Sequence, residues 1–260
     1  MQYDISGTVM QTLAISLSSG ESVFAQTHGM AWMTDQIEMD THTGGGMFAG
    51  LKRAFGGGSF FITDYKAPAG KGEVAFAPRF PGQILAKKLA AGESLVCRKE
   101  TFLCAESGVT LDIVLQQRLG AGFFAGEGFI LQRVTGPGTV FLDLSGEVIE
   151  KTLGNGERLR VHAGHIGMQE STVSTDISMV RGFRNMIFGG EGLFLATLTG
   201  PGKIWLQSMP VMNLAEEIAR YLPSEKAVDA GAGAGIGKLA GGGAAGAAIG
   251  GILGGILGSE

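Results

Sequence analysis

The chain has 260 residues, 45% of them apolar, with a formal net charge of -4 and a pI near 5.6. That is enough apolar matter for a substantial core, and it excludes an intrinsically disordered chain. The charge gives no electrostatic footing for nucleic acid, whose binding draws on clustered Lys and Arg.

Met1 to Gly7 show neither a basic segment before an apolar run nor an Arg/Ser-rich amphipathic presequence, so a cytoplasmic protein is expected, peripheral to the inner membrane if its tail touches lipid.

The elements come in three rounds. Each begins with a leucine and, three residues on, a Gly-Glu pair that starts a strand with apolar residues at every second position. The rounds read Leu17, Gly20-Glu21, Val23 and Ala25; Leu89, Gly92-Glu93, Leu95 and Cys97; Leu153, Gly156-Glu157, Leu159 and Val161. A short polar tip follows, Gln26 to Gly29, Arg98 to Thr101 or His162 to His165, where a hairpin is expected to reverse the chain. The next strand runs through Met30 and Trp32, Phe102 and Cys104, or Ile166 and Met168, then past Ile37, Val109 and Val173 to Asp40, Asp112 and Asp176.

A variable link comes next. In the first round it holds Phe48, Leu51, Lys52, Arg53 and Phe55 between two Gly-Gly-Gly runs, a candidate interaction segment or lid. Each round then closes on a Gly-rich entry, an apolar strand, a Gly-x-Gly turn and a second apolar strand, read as a hairpin. In the third round these are Gly190 to Leu195, Gly200-Pro201-Gly202 and Ile204-Trp205-Leu206; 64 residues earlier stand Gly126 to Leu131, Gly136-Pro137-Gly138 and Val140-Phe141-Leu142. The first round carries a looser copy, Gly57 to Ile62, Gly70-Lys71-Gly72 and Val74-Ala75-Phe76.

Beyond Met212 the period turns helical. Asn213 is the expected N-cap, Leu214, Ile218 and Leu222 share a face, and Pro223 stops the run. From Leu239 to Gly258 no residue is charged, and Gly246, Gly250, Gly254 and Gly258 recur every fourth position. On a helix they form a small-residue stripe. Three readings stay open for this tail: a flexible low-complexity segment, a membrane-contacting helix over 239–258, or an oligomer contact.

The expected fold is therefore all-β. Three tandem β-roll or sandwich units, 1–83, 84–147 and 148–212, take a pseudo-threefold arrangement, followed by a closing helix at 213–223 and a Gly/Ala-rich tail at 224–260.

The Gly-Glu strand starts, the Gly-x-Gly turns and the Gly/Ile/Leu tail together resemble the bacterial branch of the altered-inheritance-of-mitochondria protein twenty-four family. The resemblance covers residues 1 to 222. It implies three successive domains similar to the subunit of the tryptophan RNA-binding attenuation protein, a short double-stranded β-helix, and no established enzymatic activity. Mitochondrial members are associated with inner-membrane organisation, a role that is not expected to carry across directly, because Met1 to Gly7 show no presequence pattern.

Candidate chemistry is sparse. His162 and His165, with Glu170 near, are the one close histidine pair, a weak metal candidate beside the reading of a solvated hairpin tip. Asp40, Asp112 and Asp176, if gathered by threefold packing, would make an acidic ring for a cation or basic peptide; the alternative is hydrogen bonding at strand ends. Glu21, Glu93 and Glu157 are expected to pair with their turns. Cys97 and Cys104 either face each other across a hairpin or are buried free thiols. The glycine runs lack the Gly-Lys-Ser/Thr ending of a phosphate loop, and no nucleophile sits beside an arranged base. No cofactor is expected. The favoured function is a non-enzymatic scaffold that binds protein partners or itself, with RNA binding by fold analogy and a small-molecule or metal-binding β-roll as alternatives.

Overall fold

The structure is a computed structural model that describes residues 1–26, 29–42, 61–117, 129–179 and 194–221. The segment Phe48 to Phe55, the stripe Gly246, Gly250, Gly254 and Gly258, and the glycine entries at 57–60, 126–128 and 190–193 lie outside the described residues.

Strands dominate: β1 (Gln2–Ser6), β2 (Thr12–Leu17), β3 (Ser22–Gln26), β4 (Met30–Met33), β5 (Glu38–His42), β6 (Ile62–Lys66), β7 (Gly72–Phe76), β8 (Gly82–Leu89), β9 (Ser94–Arg98), β10 (Phe102–Glu106), β11 (Thr110–Gln117), β12 (Phe129–Thr135), β13 (Gly138–Ser145), β14 (Val148–Leu153), β15 (Arg158–His162), β16 (Ile166–Glu170), β17 (Ser174–Met179), β18 (Phe194–Thr199) and β19 (Gly202–Gln207). Among the described residues one helix, α1 (Val211–Tyr221), follows. The strands form four antiparallel sheets, ordered β1-β2-β7-β4, β5-β6-β3-β10-β13-β8, β11-β12-β9-β16-β19-β14 and β15-β18-β17.

Most chain reversals predicted as hairpins are corners between sheets. β3 and β4 lie in different sheets, as do β9 and β10, and β15 and β16. The polar tips at 98–101 and 162–165 each carry a 3-10 turn, Lys99–Thr101 or Ala163–His165. The Gly-x-Gly turns likewise carry β6, β12 and β18 into the neighbouring sheets of β7, β13 and β19. Glycine is required there: a Cβ on Gly136 would stand 2.5 Å from the Ala90 carbonyl oxygen and 2.7 Å from that of Leu89. Besides the β1/β2 hairpin, consecutive strands pair as β5/β6, β11/β12 and β17/β18, across the variable links.

Three cores fill the spaces between sheets. One joins Leu13, Ile15, Leu17 and Val74 to Val23, Ala25, Tyr65 and Phe141. The next joins Phe24, Leu89, Val140 and Leu142 to Leu95, Cys97, Val134 and Met168. The third joins Val96, Leu131, Leu153 and Ile204 to Val161, Ala196 and Leu198. A central strand of a middle sheet, such as β9, buries both of its faces. The run Leu95-Val96-Cys97 is apolar without a break because Leu95 and Cys97 enter one core while Val96 enters another. β2 instead alternates, with Leu13, Ile15 and Leu17 inside, as an outer strand should.

The register recurs. A bulge falls between Met30 and Trp32, between Phe102 and Cys104, and between Ile166 and Met168, each opposite the apolar strand after the Gly-x-Gly turn. The two large sheets are each welded by one short ladder. In β3·β10, Cys104 faces Ala25 and Glu106 faces Val23. In β9·β16, Met168 faces Cys97 and Glu170 faces Leu95. Closed pseudo-threefold packing would need the same ladder between β15 and β4. Those two strands are instead edges of separate sheets. The helix also differs from expectation: it begins at Val211, because the Pro210 carbonyl accepts from the N–H groups of Asn213 and Leu214, which takes Asn213 out of the capping position.

Candidate functional site

The three Gly-Glu turns are built alike. Gly20, Gly92 and Gly156 take positive φ, at +83°, +80° and +73°. The Glu21 carboxylate accepts the Ser18 N–H at 2.8 Å, that of Glu93 the Ala90 N–H at 2.9 Å, and that of Glu157 the Gly154 N–H at 2.7 Å. Glu21 also holds the N-terminal ammonium, and the ammonium and the Ser18 N–H keep its carboxyl below the usual range. These glutamates tie turns, as their place after a glycine suggests.

The polar tips at 98–101 and 162–165 are drawn into the junctions between repeats instead of being solvated. Arg98 is 5% exposed; its guanidinium pairs with Glu100 at 3.0 Å and donates to the Gly164 carbonyl at 3.1 Å. Thr101 is buried and donates to the Arg98 carbonyl at 2.8 Å. Gly164 also accepts from Gln207 Nε2 at 2.8 Å. The corner of one repeat therefore locks the corner of the next.

His162 and His165 stand within this junction, half-buried, with ring centroids 5.8 Å apart. His165 Nδ1 is 2.8 Å from the Gln207 carbonyl oxygen. Burial, then the neighbouring His165 and Arg98, push the His162 pKa down, which favours the neutral ring. Among the described residues no three His, Cys, Asp or Glu side chains group as a metal site.

Asp40, Asp112 and Asp176 occupy the third position of β5, β11 and β17, all exposed, on three different sheets. They lie within strands, not at strand ends, and face Asp64, Arg133 and Thr197 respectively. Cys97 and Cys104 are buried free thiols on different sheets. Burial raises both, Cys97 to about 12, so neither is a thiolate at neutral pH.

Two features carry no mark in the sequence pattern described above. Asp143, on β13 between Leu142 and Leu144, is buried enough to lift its carboxyl to about 7, and its Oδ1 has no hydrogen-bond partner. The aligned residue in the third repeat, Gln207, instead makes two hydrogen bonds, to the Ser145 N–H and the Gly164 carbonyl. A comparison of the two repeats at this position is the signal that singles out the aspartate.

The second feature is the edge of β4. Met30, Trp32 and Met33 are 37%, 49% and 36% exposed. Their counterparts are Phe102, Cys104 and Ala105, then Ile166, Met168 and Gln169, and none of these exceeds 6%. The Trp32 indole N–H reaches Glu73 at 3.2 Å, and among the described residues the strand's backbone pairs with β7 alone. Three apolar side chains on such a strand edge make a surface suited to strand addition.

Comparison with known proteins returns one family across most of the chain: residues 3–209 match the family described as mitochondrial biogenesis AIM24. An uncharacterized protein of Streptococcus pyogenes serotype M6 is 30% identical over 219 residues, covering 81% of this chain and 86% of the relative. A crystal structure of a protein from Streptococcus pyogenes superposes with a TM-score of 0.69 at 27% identity, over 85% of this chain and 99% of that one.

Proposed function

The chain belongs to the AIM24 family, and from that premise we propose that it is a non-enzymatic, β-rich scaffold that acts by holding protein partners. The observation that carries this reading is the apolar edge of β4, open in the first repeat where the equivalent strands of the other two are buried. An exposed apolar strand edge is a liability unless something pairs with it.

The chemistry of the described side chains agrees. Both thiols are buried and protonated, the His162 ring is held towards neutrality, and the turn glutamates are engaged by backbone. Such groups hold the fold together. Contact with a membrane through residues 239–258 belongs to the same proposal and is supported by the uncharged, four-spaced glycines of that stretch.

A photo-crosslinking amino acid placed at Met33 in cells tests the reading. Discrete protein adducts are expected there and not from the same probe at exposed Lys151. Failure to trap any protein at Met33 would refute a scaffold that works through this edge.

A further inference from the structure

We propose that the partner of the β4 edge is a second copy of this chain, whose β15 completes the ladder already built twice inside each molecule. The inference rests on the scaffold reading and adds its partner and register.

Two internal junctions define what such a strand looks like. At the first, β3 offers Val23, Phe24 and Ala25 to β10, with Ala25 opposite Cys104 and Phe24 opposite Ala105. At the second, β9 offers Leu95, Val96 and Cys97 to β16, with Cys97 opposite Met168 and Val96 opposite Gln169. The strand in the same place in the third repeat is β15, with Leu159, Arg160 and Val161. On its inner side it pairs with β18, and on its outer side with no other strand among the described residues. The strand in the place of β10 and β16 is β4, which among the described residues pairs with β7 and stops. Each molecule thus ends in the two unused halves of one junction.

The register carries over. Trp32 takes the place of Cys104 and Met168, and Val161 that of Ala25 and Cys97, so Trp32 should face Val161, Met33 face Arg160 and Thr34 face Leu159. The bulge that β10 and β16 carry opposite β13 and β19 is present in β4 opposite β7, so the three strands share one local shape. Such a contact is heterologous, one end of a molecule to the other end of the next, and it propagates to a ring or an open chain of copies.

The junction differs from the internal ones in polarity. Arg160 stands where Phe24 and Val96 are buried, and it is exposed. A separable contact between molecules tolerates this better than a core does. The arginine stem can lie along Met33 while its guanidinium stays in water.

Disulfide trapping tests the proposal on the full chain. Trp32 is exposed and Val161 is replaced by a side chain of similar size, so W32C and V161C should both fold; the native thiols are buried and protonated and will not compete. The two variants are purified separately, mixed and mildly oxidised. The expected product is a species of doubled mass on a non-reducing gel, formed from the mixture and not from either variant alone. The wild-type chain should sediment as a dimer or larger at concentrations where W32E sediments as a monomer.

Several results would overturn the proposal. A W32C homodimer would mean that like edges meet. In a third chain that carries both W32C and V161C, a disulfide formed within one molecule, without mass doubling, would mean that the chain closes on itself. No crosslink, with wild type and W32E both monomeric, would mean that the edge does not pair with a copy. In that last case, adducts of the Met33 probe with other proteins would leave the scaffold reading standing, and a silent probe would end both.

Discussion

Asp143 offers the sharpest quantitative test of the core packing. Its carboxyl rises from the ordinary 3.8 to about 7 because burial penalises the charged form, and Oδ1 has no hydrogen-bond partner to offset that penalty. In the unfolded chain the same group loses its proton near pH 4. Between these two values the native state holds a proton that the unfolded state has released, so stability falls as pH rises. The loss is absent below about pH 4 and complete above about pH 7. A rise of that size, from 3.8 to about 7, is worth about 4 kcal/mol. Asp143→Asn keeps the shape and removes the titration. Urea unfolding of the two chains should therefore coincide near pH 4 and diverge steadily, until the variant is more stable by about 4 kcal/mol at pH 8. All other titrating groups are shared and cancel in the difference. A difference that does not change with pH would refute the claim that burial holds the Asp143 carboxyl protonated.

Two further outcomes follow from the turns and the tail. Gly136→Ala should cost about 1–3 kcal/mol in unfolding free energy, because its Cβ meets two backbone carbonyls that cannot yield. Gly92→Ala meets no atom within 4 Å and should cost only the left-handed penalty of about 1 kcal/mol at φ +80°; equal losses at the two sites would contradict the corner geometry. Membrane fractionation of the full chain against a chain ending at Pro223 should move protein from the membrane to the soluble fraction, and identical distributions would remove the membrane part of the proposal.

The amino-acid sequence carried the local chemistry. Period-two spacing marked the strands, and a glycine followed by glutamate marked turns in which the carboxylate binds the backbone N–H three residues back. Buried Leu17, Leu89 and Leu153, and buried Ile37, Val109 and Val173, stand where the repeated pattern put them. These features depend on neighbours close in the chain, so a linear reading reaches them.

Pairing partners do not depend on such neighbours. A Gly-x-Gly turn joins two strands equally well within one sheet or around a corner between two. Only the close approach of Gly136 to the carbonyls of Leu89 and Ala90, far back in the chain, selects the corner. For the same reason Arg98 and His162 read as polar tips and prove half or wholly buried, since the carbonyls and rings that enclose them come from residues remote in sequence or from the far side of the corner.

The strand sequence Met30-Ala31-Trp32-Met33 is as apolar as its counterparts and gives no sign of being an edge. Its exposure is decided by the order of the sheets, which gives β10 and β16 a partner strand from the preceding repeat and leaves β4 at the edge of its sheet, paired with β7 alone among the described residues.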